Sequence, residues 1–229
     1  MQDQNIKLAV DAVVFGYQQG RMHILLIKQG FGPNKDQWAL PGGFVKNDEG
    51  LKTAVLRELE EETGIKVNYL EQLYTFGDTL RRDPRGRVVS VSYYGLVNPL
   101  RFSLQPGTDA KEAHWFDMYE LPELAYDHNE ILELAIQRLR SKVKYQPIGF
   151  NLLEPTFPFS DLENLYMAIL DREIDRRNFR KKMLSFGMLE ETDEILKVGT
   201  GRPAKLFRFN QPKYQQLMDE GFHFEIKFA

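Results

Sequence analysis

The sequence predicts an α/β domain followed by a smaller domain of helices and short strands. Apolar, β-branched runs alternate with two helical patterns up to about residue 145, and the composition then changes in VKYQPIGFNLLEPTFPFS, which holds three prolines. Clustered prolines disfavour regular structure and suit a connection between domains. We therefore predict a first domain at residues 1–146 and a second at residues 147–229.

Composition limits the classes of function. With 229 residues and 42% hydrophobic content the chain can build buried cores, and no apolar run approaches the ~18 residues that span a bilayer. The start, MQDQNIKLAVDAVVFGY, lacks the basic front of a secretion signal. We expect a soluble, cytoplasmic protein with no membrane partner. Because cysteine is absent, any metal must be bound by oxygen or histidine ligands.

The strands of the first domain are predicted from short runs rich in β-formers and bounded by turn residues. Two of them flank the Gly-containing turn YQQGR and predict a hairpin. The predicted strands are Lys7 to Phe15, Met22 to Ile27, Trp38 to Val45, Tyr69 to Phe76, Arg87 to Asn98, and a last one around Ala113 to Asp117.

Two helices are predicted among these strands. The first runs from Gly50 to Thr63, because apolar residues recur there at helical spacing and Gly64 follows as a C-terminal cap. The second, from Glu130 to Val143, carries a similar apolar stripe. Strands around two helices predict an α/β sandwich.

The second domain has the element order of a winged helix-turn-helix. Its predicted elements are a helix from Ser160 to Leu170, the turn DREID, a helix from Arg176 to Phe186, and two strands around Leu189 to Thr192 and Leu206 to Asn210 joined by LKVGTGRPAK.

The first helix concentrates acidic residues. Glu58, Glu61 and Glu62 stand at i, i+3 and i+4 and share one face, where three carboxylates suit a hard divalent cation such as magnesium or manganese. Arg57 lies four residues before Glu61 and can pair with it. The alternative is a solvated acidic face without a ligand.

The surroundings of this helix resemble a known motif. Gly43, five residues, Glu49, seven residues, and then REUXEEXGU from Arg57 to Ile65 match the Nudix box GX5EX7REUXEEXGU, where U is aliphatic. The resemblance to the Nudix family covers roughly residues 7 to 145 and implies an α/β/α sandwich that cleaves nucleoside diphosphate derivatives. It also implies metal ligation by Glu58, Glu61 and Glu62 and catalytic support from Arg57 and Glu49.

The loop RRDPRGRVVSVSYY resembles a stretch of ADP-ribose pyrophosphatases and of Nudix-related regulators. Its Arg82, Arg85 and Arg87 could donate to phosphate or ribose, and Phe31 could stack on a base. With Gly43, these residues form the predicted effector site. A solvated charged loop and a packing aromatic are the alternatives.

The second helix of the smaller domain is strongly basic. Asp175 can cap it, and Phe179, Met183 and Leu184 supply an apolar side. The remaining side chains suit DNA, and a solvated basic helix is the alternative. The predicted DNA contacts are Arg176, Arg177 and Asn178 to base edges, Arg180, Lys181 and Lys182 to phosphates, and Gly201, Arg202 and Lys205 from the wing.

Taken over the whole chain, this layout resembles the Nudix-related transcriptional regulators of the NrtR type. The resemblance implies a homodimer on double-stranded operator DNA and an effector such as ADP-ribose, a related nucleotide sugar or a pentose. A second hypothesis stays open, namely a magnesium-dependent ADP-ribose pyrophosphatase with an accessory winged-helix domain, because the box is intact.

Overall fold

The computed structural model describes residues 5–67, 69–107, 109–197 and 203–226. The chain divides into two compact units, the first comprising Met1–Gln18 and Met22–Arg138 and the second comprising Gln19–Arg21 and Leu139–Ala229. Within the described ranges, no helix is both long enough and apolar enough to cross a membrane. The boundary at residue 147, which composition suggested, stays a prediction.

The strands of the first unit form a mixed sheet. They are β1 (Lys7–Gln18), β2 (Arg21–Gln29), β3 (Trp38–Ala39), β4 (Gly42–Phe44), β5 (Leu70–Phe76), β6 (Val88–Val97) and β7 (Ala110–Asp117). The order is β3-β2-β1-β6-β5, with β4 paired to β1 and β7 paired to β2. β1 and β6 are parallel, and β4 pairs antiparallel with β1. The other predicted strands are present, with β7 beginning earlier than expected, but the single strand predicted from Trp38 to Val45 is two short strands, β3 paired with β2 and β4 paired with β1.

The helix α1 (Leu51–Thr63) lies where the sequence placed it. Its buried Ala54, Val55 and Leu59 belong to a core cluster with side chains of β1 and β6. Gly64, at φ +75°, ends the helix and donates its N–H to the Glu60 carbonyl at 2.9 Å. A left-handed C-terminal residue of this kind favours glycine. α2 (His128–Lys142) confirms the second predicted helix.

The second unit combines three helices with a small antiparallel sheet. Its elements are β8 (Phe157–Pro158), α3 (Phe159–Leu170), α4 (Arg176–Ser185), β9 (Leu189–Leu196), β10 (Ala204–Phe209) and α5 (Gln211–Asp219), and its strand order is β8-β10-β9. Short 3-10 helices occur at Pro99–Arg101 in the first unit and Phe150–Leu152 in the second. The α3-turn-α4-β9-β10 order is that of the predicted winged helix-turn-helix.

The turn between α3 and α4 is fixed by two aspartates. Asp171 ends α3 in the left-handed region at φ 55°, and Asp175 caps α4 by accepting a hydrogen bond from the Asn178 N–H at 3.0 Å. The capping role expected for Asp175 is confirmed.

Three features of this unit differ from the sequence-based expectation. α5 and β8 were not predicted. α5 buries none of its side chains, and its apolar residues Tyr214, Leu217 and Met218 form only a short stripe over nine residues. Leu184 was expected to pack on the domain with Phe179 and Met183, but its side chain is exposed.

Candidate functional site

The residues of the box motif meet at Arg57, which projects from α1. Its Nη2 and Nε donate to Glu49 at 2.6 and 2.9 Å, and its Nη1 donates to Glu58 at 2.7 Å. Nη1 also reaches Glu61 at 3.1 Å, so the expected Arg57–Glu61 pair is present. The hydrogen bonds from Arg57 lower the pKa of Glu49 to about 2. Arg57 therefore offsets part of the negative charge that accumulates on the acidic helix.

Glu62 lies deeper than its neighbours. Its side chain is buried, and its Oε2 accepts a hydrogen bond from the Gly42 N–H at 2.8 Å. Burial raises the pKa of Glu62 well above its usual value, and the carboxylates of Glu58 and Asp109 raise it further. The sequence analysis missed Asp109, because a lone acid in a loop carries no spacing signal.

The three glutamates share a side of α1 but point at different partners. Glu58 and Glu61 contact Arg57, whereas Glu62 contacts Gly42. Among the described residues, no three acidic or histidine side chains are grouped so as to hold a metal ion. The oxygen donors suit magnesium in kind, and because Glu58 and Glu61 are paired with Arg57, an ion would have to displace those pairings to bind them.

A polar pocket lies beside the glycines of β4. Its volume of about 50 Å³ admits one small charged group rather than a whole nucleotide. The lining residues are Ala9, Asp11, Gln29, Leu40, Gly42, Gly43, Arg82, Asp83, Arg85, Val88, Tyr126 and His128. Of the predicted effector residues, Gly43, Arg82 and Arg85 line this pocket, while Phe31 and Arg87 do not.

The two arginines of this pocket differ in availability. Arg82 is 5% exposed, and its Nε and Nη2 donate to both carboxylate oxygens of Asp127 at 2.6 and 2.5 Å. Arg85 is 37% exposed and paired with Asp83, and its guanidinium lies over the rings of Phe44 and Tyr126. Arg85 therefore presents the more accessible cation.

The remaining two predicted effector residues do not line the pocket. Phe31 has 58% of its surface exposed. Arg87 is half-buried and donates from Nη1 to the Thr79 carbonyl at 3.4 Å. It directly precedes Val88, which is part of the lining.

Two residues of the pocket lining, His128 and Asp11, belong to a buried polar network. His128 Nδ1 accepts a hydrogen bond from the Leu40 N–H at 2.9 Å, and its Nε2 lies 3.5 Å from Asp11 Oδ1. Ser90 donates to the other oxygen of Asp11. Burial lowers the pKa of His128, which favours the neutral imidazole. Asp11 was missed, yet one charge inside the apolar strand LAVDAVVF was a usable signal.

The basic residues of α4 fall into distinct environments. All six predicted DNA-contacting side chains on this helix are exposed, while Phe179 and Met183 are buried. Arg176 Nη1 lies 3.6 Å from a Glu163 oxygen, and Arg180 stacks over Phe159 at 4.3 Å from the ring centroid. A basic surface on an anchored helix is a suitable geometry for the major groove.

The other predicted DNA contacts are placed as follows. Asn178 Nδ2 donates to Asp175 at 2.6 Å, and Lys182 lies 5.0 Å from the centroid of the Phe186 ring. Lys205 of β10 pairs with Glu191 of β9. The predicted Gly201 and Arg202 lie outside the described residues.

Comparisons with family models agree with this geometry. Residues 6–135 match the NUDIX domain, and residues 149–209 match the NrtR DNA-binding winged helix domain. The fold and the site thus define a class of protein in which a Nudix domain precedes a DNA-binding winged-helix domain. The ADPR responsive transcriptional repressor NtrR of Acinetobacter baylyi is 37% identical over 221 residues, which cover 95% of this chain and 85% of the relative. The chain belongs to the NrtR family.

Two solved structures resemble the chain. Shewanella oneidensis NrtR complexed with a 27mer DNA has a TM-score of 0.78 and 29% identity, with coverage of 96% of this chain and 99% of that chain. The NUDIX domain of the same protein complexed with ADP ribose has a TM-score of 0.55 and 35% identity, with coverage of 60% and 90%. The resemblance to NrtR-type regulators that the sequence suggested is confirmed.

Proposed function

We propose that the chain is a transcriptional repressor that binds double-stranded operator DNA through its winged-helix domain and releases it when the Nudix domain binds ADP-ribose. The observation that carries this proposal is the placement of positive charge on α4. Arg177 and Lys181 are exposed while Phe179 and Met183 anchor the opposite side. The similar repressor from Acinetobacter baylyi and the DNA-bound Shewanella oneidensis protein support it.

The pocket of the first domain supports an effector that carries phosphate. Arg85 is an accessible cation held in position by Asp83, and the backbone of Gly42 and Gly43 forms part of the same lining. A guanidinium favours phosphate oxygens over neutral hydroxyls, so the lining suits a phosphate group of ADP-ribose better than it suits a free pentose. Gly43, Arg82 and Arg85 are our proposed effector contacts in this pocket, while Phe31 and Arg87, which lie outside its lining, are assigned no contact with the phosphate.

A DNA-release experiment tests the proposal. Fluorescent duplexes from upstream of the chain's own and neighbouring genes would be titrated with protein, alone and with ADP-ribose, AMP or ribose. We expect binding that ADP-ribose weakens and that ribose leaves unchanged. Linkage requires that the operator weaken ADP-ribose binding by the same factor. The proposal fails if no duplex binds more tightly than unrelated DNA, or if ADP-ribose leaves the affinity unchanged.

The assembly proposed for this function is a homodimer in the cytoplasm, where the operator is accessible. A two-fold protein matches a palindromic site, whose half-sites lie about 34 Å apart for each helical turn between them. Light scattering after gel filtration measures the mass, for which twice the 26.7 kDa of one chain is expected. A monomeric mass at the DNA-binding concentration would contradict the dimer.

A second candidate function is hydrolysis of ADP-ribose with magnesium or manganese. This function is favoured by the intact set Glu49, Arg57, Glu58, Glu61 and Glu62. Arg57 binds Glu49, Glu58 and Glu61 directly, and Glu62 binds the adjacent Gly42 N–H. Hydrolysis would require Glu58 and Glu61 to turn away from Arg57 toward the ion. We propose these glutamates as the metal ligands.

Product analysis distinguishes the two functions. Protein would be incubated with ADP-ribose and magnesium, and AMP would be measured for the wild type, Glu61→Gln and the control Glu60→Gln. Glu60 is exposed and pairs with Lys66, away from Arg57. Hydrolysis predicts that only Glu61→Gln loses turnover. Absence of AMP from the wild type would discard the enzyme and leave the repressor standing.

A further inference from the structure

The helix α4 has an outer face opposite its buried side. Because successive residues turn by about 100°, Arg177, Lys181 and Leu184 fall at i, i+4 and i+7 and lie along one stripe. Phe179 and Met183 point the other way into the domain. Leu184 is 38% exposed on this outer face, next to the two cations.

The residues that flank this stripe form contacts within their own domain. On one flank, Arg176 pairs with Glu163, and Arg180 lies over Phe159. On the other flank, Asn178 is bound to Asp175 through both its backbone and its side chain. These contacts hold α4 against the domain and leave the stripe between them as the side that meets a partner.

The stripe itself has no partner in the described part of the chain. There, neither Arg177 nor Lys181 forms an ion pair or hydrogen bond through its side chain, and Leu184 is not covered. A surface of two cations and one aliphatic group complements the DNA major groove, where phosphates and guanine accept hydrogen bonds and thymine presents a methyl group.

We propose that Leu184 is a specificity-determining residue that contacts the 5-methyl group of a thymine in the major groove of the operator. This assignment rests on the proposed DNA-binding function. Arg177 and Lys181 set the position of α4 on the duplex, and Leu184 discriminates thymine from bases that lack the methyl group. The contact is apolar, so the sequence-based search for polar and charged DNA contacts did not include it.

Uracil substitution tests this contact directly. The duplex would be the segment that the wild type protects from cleavage upstream of its own or a neighbouring gene, with each thymine replaced in turn by deoxyuridine. For the wild type we expect one position per half-site at which uracil lowers the affinity about fourfold, the cost of one lost methyl contact. In Leu184→Ala the affinity for the thymine duplex falls by a similar factor, and uracil at that position has no further effect.

The control is Met218→Ala on α5, a side chain of matched exposure at 39% in the same unit. It should retain both the affinity and the response to uracil. Leu184→Ala keeps a good helix former at an exposed position, and circular dichroism verifies its fold. Suppose that the wild type binds the duplex and that Leu184→Ala shows the same change of affinity as the wild type for uracil at every thymine position. The proposed methyl contact is then refuted, while the DNA-binding function stands. If the wild type binds no upstream duplex, both proposals fall together.

Discussion

His128 joins two parts of the first domain that are distant in sequence, since its Nδ1 accepts the Leu40 N–H at 2.9 Å while its Nε2 faces Asp11 at 3.5 Å. Leu40 directly precedes Pro41 and the glycines that line the pocket. The imidazole therefore helps to fix the backbone beside Gly42, whose N–H binds Glu62.

Replacing His128 with phenylalanine should destabilise the protein. The ring retains much of the volume but cannot accept the Leu40 N–H, and a buried unsatisfied donor costs about 1–3 kcal/mol. Urea unfolding measures the loss. His128→Asn is the matched control, because its side-chain oxygen can accept the same hydrogen bond and should recover part of the stability. Equal stability of the phenylalanine variant and the wild type would contradict the role of this bond.

The stability of the wild type should fall as the pH drops through the His128 titration. Burial lowers the pKa of His128 below its usual 6.5, so the unfolded state takes up the proton first. The contribution of His128 is therefore complete above about pH 6.5 and is lost at lower pH. The groups that face it are Asp11, Asp127, Arg82 and Arg85. The free energies of unfolding of the wild type and His128→Asn should converge as the pH falls. A difference that stays constant with pH would refute the lowered pKa of His128.

Arg85 and Arg87 provide a matched pair for the effector site. Arg85→Ala should weaken ADP-ribose binding by about 1.5–3 kcal/mol, the cost of losing hydrogen bonds to a charged group. Arg87→Ala removes the same charge from outside the pocket lining and should change the affinity little. Titration calorimetry measures both. An equal loss in the two variants would indicate general electrostatic attraction rather than a contact in the pocket.

Arg176 and Arg177 form a second matched pair, on α4. The sequence assigned base contacts to both, but Arg176 faces Glu163 whereas Arg177 lies on the outer face. Arg177→Ala should lower DNA affinity by about 1–3 kcal/mol, and Arg176→Ala should lower it less. Fluorescence anisotropy at fixed salt measures the two affinities. A larger loss for Arg176→Ala would show that its pairing with Glu163 breaks on DNA.

Local patterns made most of the fold predictable. The apolar spacing of α1 and the glycine after it located that helix to within a residue, and the spacing of the box located Arg57 and its glutamates. What could not be predicted depends on contacts between remote positions. Asp127 meets Arg82 across 45 residues, and no local pattern encodes that pair.

The orientation of side chains on α4 shows the same limit. Phe179, Met183 and Leu184 were grouped by apolarity, but only the three-dimensional packing decides that the first two are buried and Leu184 is not. Similarly, α5 has only Tyr214, Leu217 and Met218 at helical spacing in its nine residues, and its clearest signal is the cap in which Asn210 accepts the Lys213 N–H at 2.8 Å.

The Arg57 cluster has a consequence for how the box motif is interpreted. A guanidinium that binds Glu49, Glu58 and Glu61 at once ties the loop before α1 to the helix and offsets part of their negative charge. These side chains therefore hold the domain together as well as forming the candidate site, so the same substitution affects both folding and chemistry.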